Sequence, residues 1–162
     1  VESTFNKWTL TAIFSSILLS IVFLLFLIIQ GVGKLPLFAG VPILLLMVFI
    51  IIWLVYGELR NKAIKVIINS DSVTAMHFLG LGAGTSYAFK EIEGYKISRL
   101  PSEYQEYEYL YLFIGRKKII RLSQFYHSNY AELKKSIISG IKNLGEEPFS
   151  ITREIKEILL HK

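Results

Sequence analysis

Hydrophobic side chains along this sequence follow three successive rhythms. From Leu10 to Ile29, and again from Leu37 to Tyr56, they run for twenty residues without a charged group, and only the segment QGVGKLP separates the two runs. At about 1.5 Å rise per residue such a run matches a hydrocarbon core of about 30 Å, a medium in which a helix satisfies its own backbone. The first rhythm therefore predicts a membrane α-hairpin. Helices buried in a soluble core are usually shorter apolar stretches, and a secretory signal is disfavoured because the first run exceeds the usual apolar length and no small-x-small cleavage site follows it.

The second rhythm begins after Gly57, with short alternating segments divided by turn residues. Ile64, Val66 and Ile68 alternate ahead of the turn run NSDS, Val73 to Leu79 and Thr85 to Phe89 flank GLGAG, and Tyr95 to Leu100 leads into PSEYQE. Tyr107 to Ile114 then reads as a strand that GRKK turns into Ile119 to Leu122. Some six short strands at roughly ten-residue spacing predict a small antiparallel sandwich or barrel. The third rhythm is helical. Ser128 or Asn129 is a candidate cap with Glu132 behind it, and Tyr130, Leu133, Ile137, Ile138, Ile141 and Leu144 recur at helical spacing until Gly145. Ser150 opens a further amphipathic pattern through Ile151, Ile155, Ile158 and Leu159.

Charge orients the hairpin. Lys7 precedes the first run and Arg60, Lys62 and Lys65 follow the second, whereas the connection carries only Lys34, so both termini are expected in the cytoplasm. Trp8 falls at the same end as Trp53 and Tyr56, where amphipathic rings favour the headgroup zone. Ala12, Ser16 and Ser20 share one helix face and predict close helix packing, against the second span or a second copy. Pro36 suits a helix start, and Pro42 removes a backbone donor farther in. Neither run holds an ionisable side chain, which favours an anchor over a transport path.

The 162 residues support one membrane part and one domain, and the net charge of +5 is too dispersed to point to nucleic acid. Having no cysteine, the chain lacks disulfides and thiolate chemistry. Chemical motifs are faint. Gly80, Gly82 and Gly84 precede a strand rather than the helix that phosphate binding needs, and His77, His127 and His161 have no metal-ligand spacing. No nucleophile motif accompanies the serines. The reading is of a chain that is not an enzyme, with no catalytic, cofactor-binding or metal residues. One alternation is more informative. Tyr107, Tyr109, Tyr111 and Phe113 share one face of a strand whose other face is also apolar, so that the aromatic face needs a cover or a partner.

The stretch YEYLYLFIGRKKIIRLSQFYHSNYAELKKSIISGI resembles the closing strands and helix of bacterial PH-like domains, and INSDSVTAMHF with FKEIEGYKI is similar to their earlier strands. Phe89 stands where such domains usually carry tryptophan. The resemblance implies an α+β, mainly-β PH-like antiparallel barrel over residues 61–145, after a transmembrane hairpin in 1–60 and before an additional amphipathic helix in 146–162. It implies binding rather than reaction. Three roles are expected in turn: an adaptor that recruits or regulates a protein at the inner membrane, an immunity protein that neutralises a toxin there, and a sensor of anionic lipid. The candidate partner surface is Tyr107, Tyr109, Tyr111 and Phe113; candidate lipid contacts are Arg60, Lys62, Lys65, Arg116, Lys117 and Lys118. The expected partners are the bilayer, a protein and, through the small-residue face, another copy of the chain; no cofactor is expected.

Overall fold

The computed structural model describes residues 1–30, 36–100 and 106–150. Expectations for Lys34, for most of the PSEYQE loop and for the helix beyond Ser150 lie outside these residues. Helix α1 spans Lys7–Gln30. Helix α2 spans Leu37–Ile52, passes through Pro42, and continues as a π-helical stretch over Trp53–Arg60. Both are long and apolar enough to cross a membrane. Their apolar side chains are largely uncovered, with Leu19 71% and Phe38 82% exposed. The core helix of a soluble protein would bury such groups, whereas these two helices leave them uncovered. Less exposed positions form one stripe on each helix, Ile13, Ile17, Ser20, Leu24 and Leu27 on α1 and Gly40, Leu44, Met47 and Ile51 on α2. Ala12 and Ser16 lie off that stripe and are exposed, and the Ser16 hydroxyl donates to the Ala12 carbonyl of its own helix at 2.8 Å.

The strand-rich part follows directly. Strands β1 (Lys65–Ile68), β2 (Ser72–Met76) and β3 (Gly84–Ala88) form an antiparallel sheet in that order. A second sheet holds β4 (Gly94–Leu100), β5 (Tyr107–Ile114), β6 (Lys117–Ser123) and β7 (Asn143–Glu146), ordered β6-β5-β4-β7. The expected closed barrel is absent among the described residues. A single 3₁₀ turn over Phe89–Glu91 redirects the chain after β3, and β3 and β4 do not pair.

Helix α3 covers Tyr130–Ile138, shorter than the helical spacing predicted. Ile141 is buried beyond its end, and Leu144 belongs to β7, which runs parallel to β4. The cause is the open edge of β4. The Tyr95 amide donates to the Lys142 carbonyl at 2.9 Å and the Glu147 amide to the Ile97 carbonyl at 2.8 Å, so that edge is satisfied by chain that would otherwise extend the helix. Gly94 makes the approach possible, since a Cβ there would collide with Leu144 Cγ and the Lys142 carbonyl oxygen.

Between the sheets lies one core. Val66, Val73, Leu110, Leu112, Ile120 and Leu122 from the strands meet Leu133 and Ile137 from α3. Each fully buried aliphatic side chain of this kind contributes about 1.5–3 kcal/mol of burial.

Candidate site at the junction of helices and domain

The first six residues, to which the hydrophobic pattern assigns no element, hold the helical pair and the strand-rich domain together. The Ile68 amide donates to the Val1 carbonyl at 2.7 Å, the Ser3 amide to the Val66 carbonyl at 2.8 Å, and the Val66 amide to Ser3 Oγ at 2.8 Å. The segment is thus an added edge on β1. Farther on, the Asn6 amide donates to the Tyr126 carbonyl and the Ser128 amide to the Thr4 carbonyl, while Asn129 binds the Thr4 amide and the Glu2 carbonyl through its side chain. Asn6 then starts α1, its Oδ1 accepting from the Trp8 amide at 3.1 Å, and the Thr9 hydroxyl reaches back to the Phe125 carbonyl at 2.9 Å.

Against this clamp the end of α2 brings an apolar cluster and one carboxylate. Ile13, Leu59, Ala63 and Tyr126 are buried together, with Phe5, Leu10, Phe78, Leu79 and Phe125 packed around them. The Tyr126 hydroxyl donates to Glu58 Oε2, and Lys62 Nζ donates to Glu58 Oε1 at 2.7 Å. Burial, and then the negative charge of Glu58, push the Tyr126 phenol far above its ordinary range, so it stays a hydrogen-bond donor at any physiological pH. The i, i+4 spacing of Glu58 and Lys62, just past the second apolar run, was the signal in the sequence that could have revealed this site.

His127 closes the seam. It is 1% exposed and stacks on Phe5 at 5.5 Å, with Nδ1 2.9 Å from the Ser123 carbonyl and Nε2 2.8 Å from the Ile64 carbonyl. A neutral imidazole donates through one nitrogen only, whereas the cation would serve both carbonyls. Burial nevertheless outweighs the two carbonyls and lowers the pKa below its usual value. The same clamp makes a placement clear: N-terminal segment and strand-rich domain sit at one end of the helical pair.

The basic residues singled out in the sequence do not form one patch. Lys62 binds Glu58, Lys65 Nζ lies 2.6 Å from a Glu2 carboxylate oxygen, and the Arg60 guanidinium rests 5.9 Å from the centre of the Tyr56 ring. Arg116 and Lys117 are exposed at the β5–β6 turn, where Gly115 adopts a φ of 57°. Strand β6 separates that turn from Tyr126 by its seven residues, about 20 Å of extended chain at about 3.3 Å per residue.

The aromatic face is real and already covered. Leu110 and Leu112 point into the main core, while Tyr109, Tyr111 and Phe113 form a separate cluster with exposures of 4%, 2% and 8%. Cations on neighbouring strands overlie it. Arg121 lies 4.7 Å from the Tyr109 ring centre, Lys118 4.0 Å from Tyr111, and Lys96 5.3 Å from Phe113. Tyr107 is half-buried and meets the Phe125 ring edge-on at 5.1 Å.

Elsewhere the Tyr130 hydroxyl and Lys134 Nζ both donate to Glu108 Oε1 at 2.6 Å, fixing α3 to β5. Among the described residues no three metal-ligating side chains converge. A shallow cleft of about 560 Å³ lies between the β1–β2 turn and the end of α3, lined by Asn69, Ser70, Phe89, Ser136 and Ser139. Comparison of the chain with protein-family models, with curated proteins and with solved structures gives no match.

Proposed function

We propose that this chain is a membrane-anchored binding module: α1 and α2 span the cytoplasmic membrane, and a PH-like domain on the cytoplasmic side recruits or regulates a protein there. The carrying observation is the clamp of residues 1–6 onto β1 and the Tyr126–Asn129 segment. A flexible tether would let the domain tumble. Here the backbone ladder and the buried Tyr126–Glu58 contact hold it in one pose against the hairpin, as suits a module that presents a fixed surface to a partner moving in or along the membrane. Lys7, Arg60, Lys62 and Lys65 at the domain end of the helices support the cytoplasmic side. Two sheets that share one core with α3 support the PH-like reading, although β7 adds a parallel strand to the pattern.

Cysteine accessibility in intact cells tests the placement, because the native chain has no cysteine to remove. Phe38→Cys should react with an impermeant maleimide added outside, and Ser70→Cys only after the membrane is opened. The reverse pattern overturns the cytoplasmic assignment. For the binding role, a photocrosslinker at Arg116 or Lys117, both exposed on the β5–β6 turn, should trap a reproducible membrane-associated protein in cells. Its failure to do so at every exposed position of the sheet would leave the chain without the partner proposed.

A further inference from the structure

The loop between β2 and β3 carries at its tip a side chain, Leu81, that neither the clamp nor the sheet uses. From Phe78 through the loop and β3 to Phe89, FLGLGAGTSYAF, there is no charged side chain. Leu81 is 90% exposed, and beyond the two long helices only it and Val1, among the described residues, are large apolar side chains left so open to solvent. A lone exposed leucine needs no explanation in general. This one sits on a loop of unusual geometry. Phe78 and Leu79 hold φ values of 49° and 59°, and Gly80 follows at 96°. L-residues rarely adopt that region, and a leucine and a phenylalanine in succession do so only when their surroundings compel it.

The surroundings are the end of α2. The Phe78 ring meets Tyr56 edge-on at 6.5 Å, the Leu79 amide donates to the Ala63 carbonyl at 2.9 Å, and His77 Nδ1 lies 2.9 Å from the Arg60 carbonyl. The Lys65 stem passes so close to Gly80 that a Cβ there would meet Lys65 Cδ at 2.7 Å. These contacts fix the loop beside Tyr56 and Arg60, at the level where a spanning helix passes from acyl chains to headgroups and where aromatic and basic side chains collect. The strained turn keeps Phe78 and Leu79 on the helix and leaves Leu81 open to solvent.

We infer that the β2–β3 loop, with Leu81 at its tip, dips into the boundary between acyl chains and headgroups of the bilayer that α1 and α2 cross. The domain then has a lipid contact in addition to its hairpin and its clamp. The occupant is lipid because the loop seats Phe78 on Tyr56 at the end of the apolar helices, holds no Asp, Glu, Lys or Arg between Met76 and Gly84, and lies beside Arg60 and Lys65, cations that suit the phosphate layer, Lys65 while paired with Glu2. This inference rests on the spanning role proposed for the helices, and the experiment separates the two.

Single-cysteine variants of the full chain, Leu81→Cys, Ala83→Cys, Ser70→Cys and Leu19→Cys, are labelled with an environment-sensitive fluorophore and reconstituted in vesicles of phosphatidylcholine and phosphatidylglycerol. Leu19 is exposed on α1, Ser70 on the β1–β2 turn, and Ala83 beside Leu81 on the same loop. The labels at Leu81 and Ala83 should emit to the blue of the label at Ser70, be quenched by lipids bearing a nitroxide high on the acyl chain, and resist aqueous iodide. Iodide quenching at Leu81 and Ala83 equal to that at Ser70, with lipid quenching retained at Leu19, overturns the loop's insertion and leaves the hairpin standing. Protection of the loop from iodide and nitroxide lipid alike overturns it in favour of a protein cover. Absence of lipid quenching at Leu19 removes the hairpin and the loop together.

Discussion

Tyr126 and Tyr130, four residues apart, bind different elements with the same chemistry. Each phenol donates to a carboxylate that also holds a lysine: Glu58 with Lys62 at 2.7 Å for the first, Glu108 with Lys134 at 2.6 Å for the second. Burial pushes both phenols far above their ordinary range, and the neighbouring carboxylates add to it. What differs is what they join. Glu108 is on β5 and ties α3 into its own domain, whereas Glu58 is on the π-helical end of α2 and ties the domain to the hairpin. Folding of the domain and its pose on the helical pair are therefore secured by separate groups of one kind, and each is expected to break with the other intact.

The largest effect belongs to the domain alone. Leu133→Ala empties a fully buried position between the sheets and should cost about 2–5 kcal/mol in chemical unfolding followed by near-ultraviolet circular dichroism in detergent. Helix content of the hairpin should persist after the domain has melted. If the two melt as one unit, the separation drawn from the two tyrosines is wrong.

Next come the carboxylates. Glu108→Ala strands a buried phenol and a lysine and should lower domain stability by about 1–3 kcal/mol, with Tyr130→Phe milder at about 1 kcal/mol. Glu58→Ala makes the matching loss at the junction, of the same order. It should show as faster amide exchange across residues 58–64 and 125–128 while exchange in β5 and β6 stays slow. Uniform acceleration throughout the domain after Glu58→Ala would mean that anchor and fold are a single cooperative structure.

His127 stands on the boundary, with Ser123 on one side, Ile64 on the other and Phe5 over its ring. Its native pKa is depressed, so above the unfolded value of about 6.5 the ring is neutral in both states and carries no penalty. As pH falls below that value the unfolded chain takes up a proton that the native ring refuses, and stability declines. His127→Gln, which can donate to one of the two carbonyls, should flatten the fall between neutral and mildly acidic pH. An unchanged slope assigns the acid sensitivity to other groups.

The two regions were unequally legible in the sequence. The apolar runs gave the helices nearly to their ends, because twenty uncharged residues admit few alternatives, and the alternation of Tyr109 to Phe113 against Leu110 and Leu112 gave β5 with the correct faces. Local pattern gave less where a distant partner decided the outcome. Ile141 and Leu144 kept helical spacing, yet the unpaired edge of β4 drew that stretch into β7. Residues 1–6 show no hydrophobic periodicity, since they are held by hydrogen bonds, many from backbone amides and carbonyls, to β1 and to Tyr126–Asn129, more than sixty residues away. The site at Glu58 needed the same long-range pairing, so only its Lys62 half was visible as a spacing.

The finest cut concerns Lys118, which its sequence neighbours Arg116 and Lys117 place among candidate lipid contacts. Its Nζ lies 4.0 Å from the centre of the Tyr111 ring, itself 2% exposed, and seven-residue β6 runs between its turn and the junction of the helices with the domain. An ammonium over a ring contributes about 0.5–1 kcal/mol at a partly exposed site. Lys118→Ala should therefore lower domain stability by about that much and leave the exchange rates at the junction unchanged. Arg60→Ala, beside Tyr56 at the end of α2, should do the opposite, with the junction loosening while the domain's unfolding midpoint holds. A Lys118→Ala variant that alters the junction but not the domain would place the β5–β6 turn against the membrane and reverse the orientation argued from the clamp.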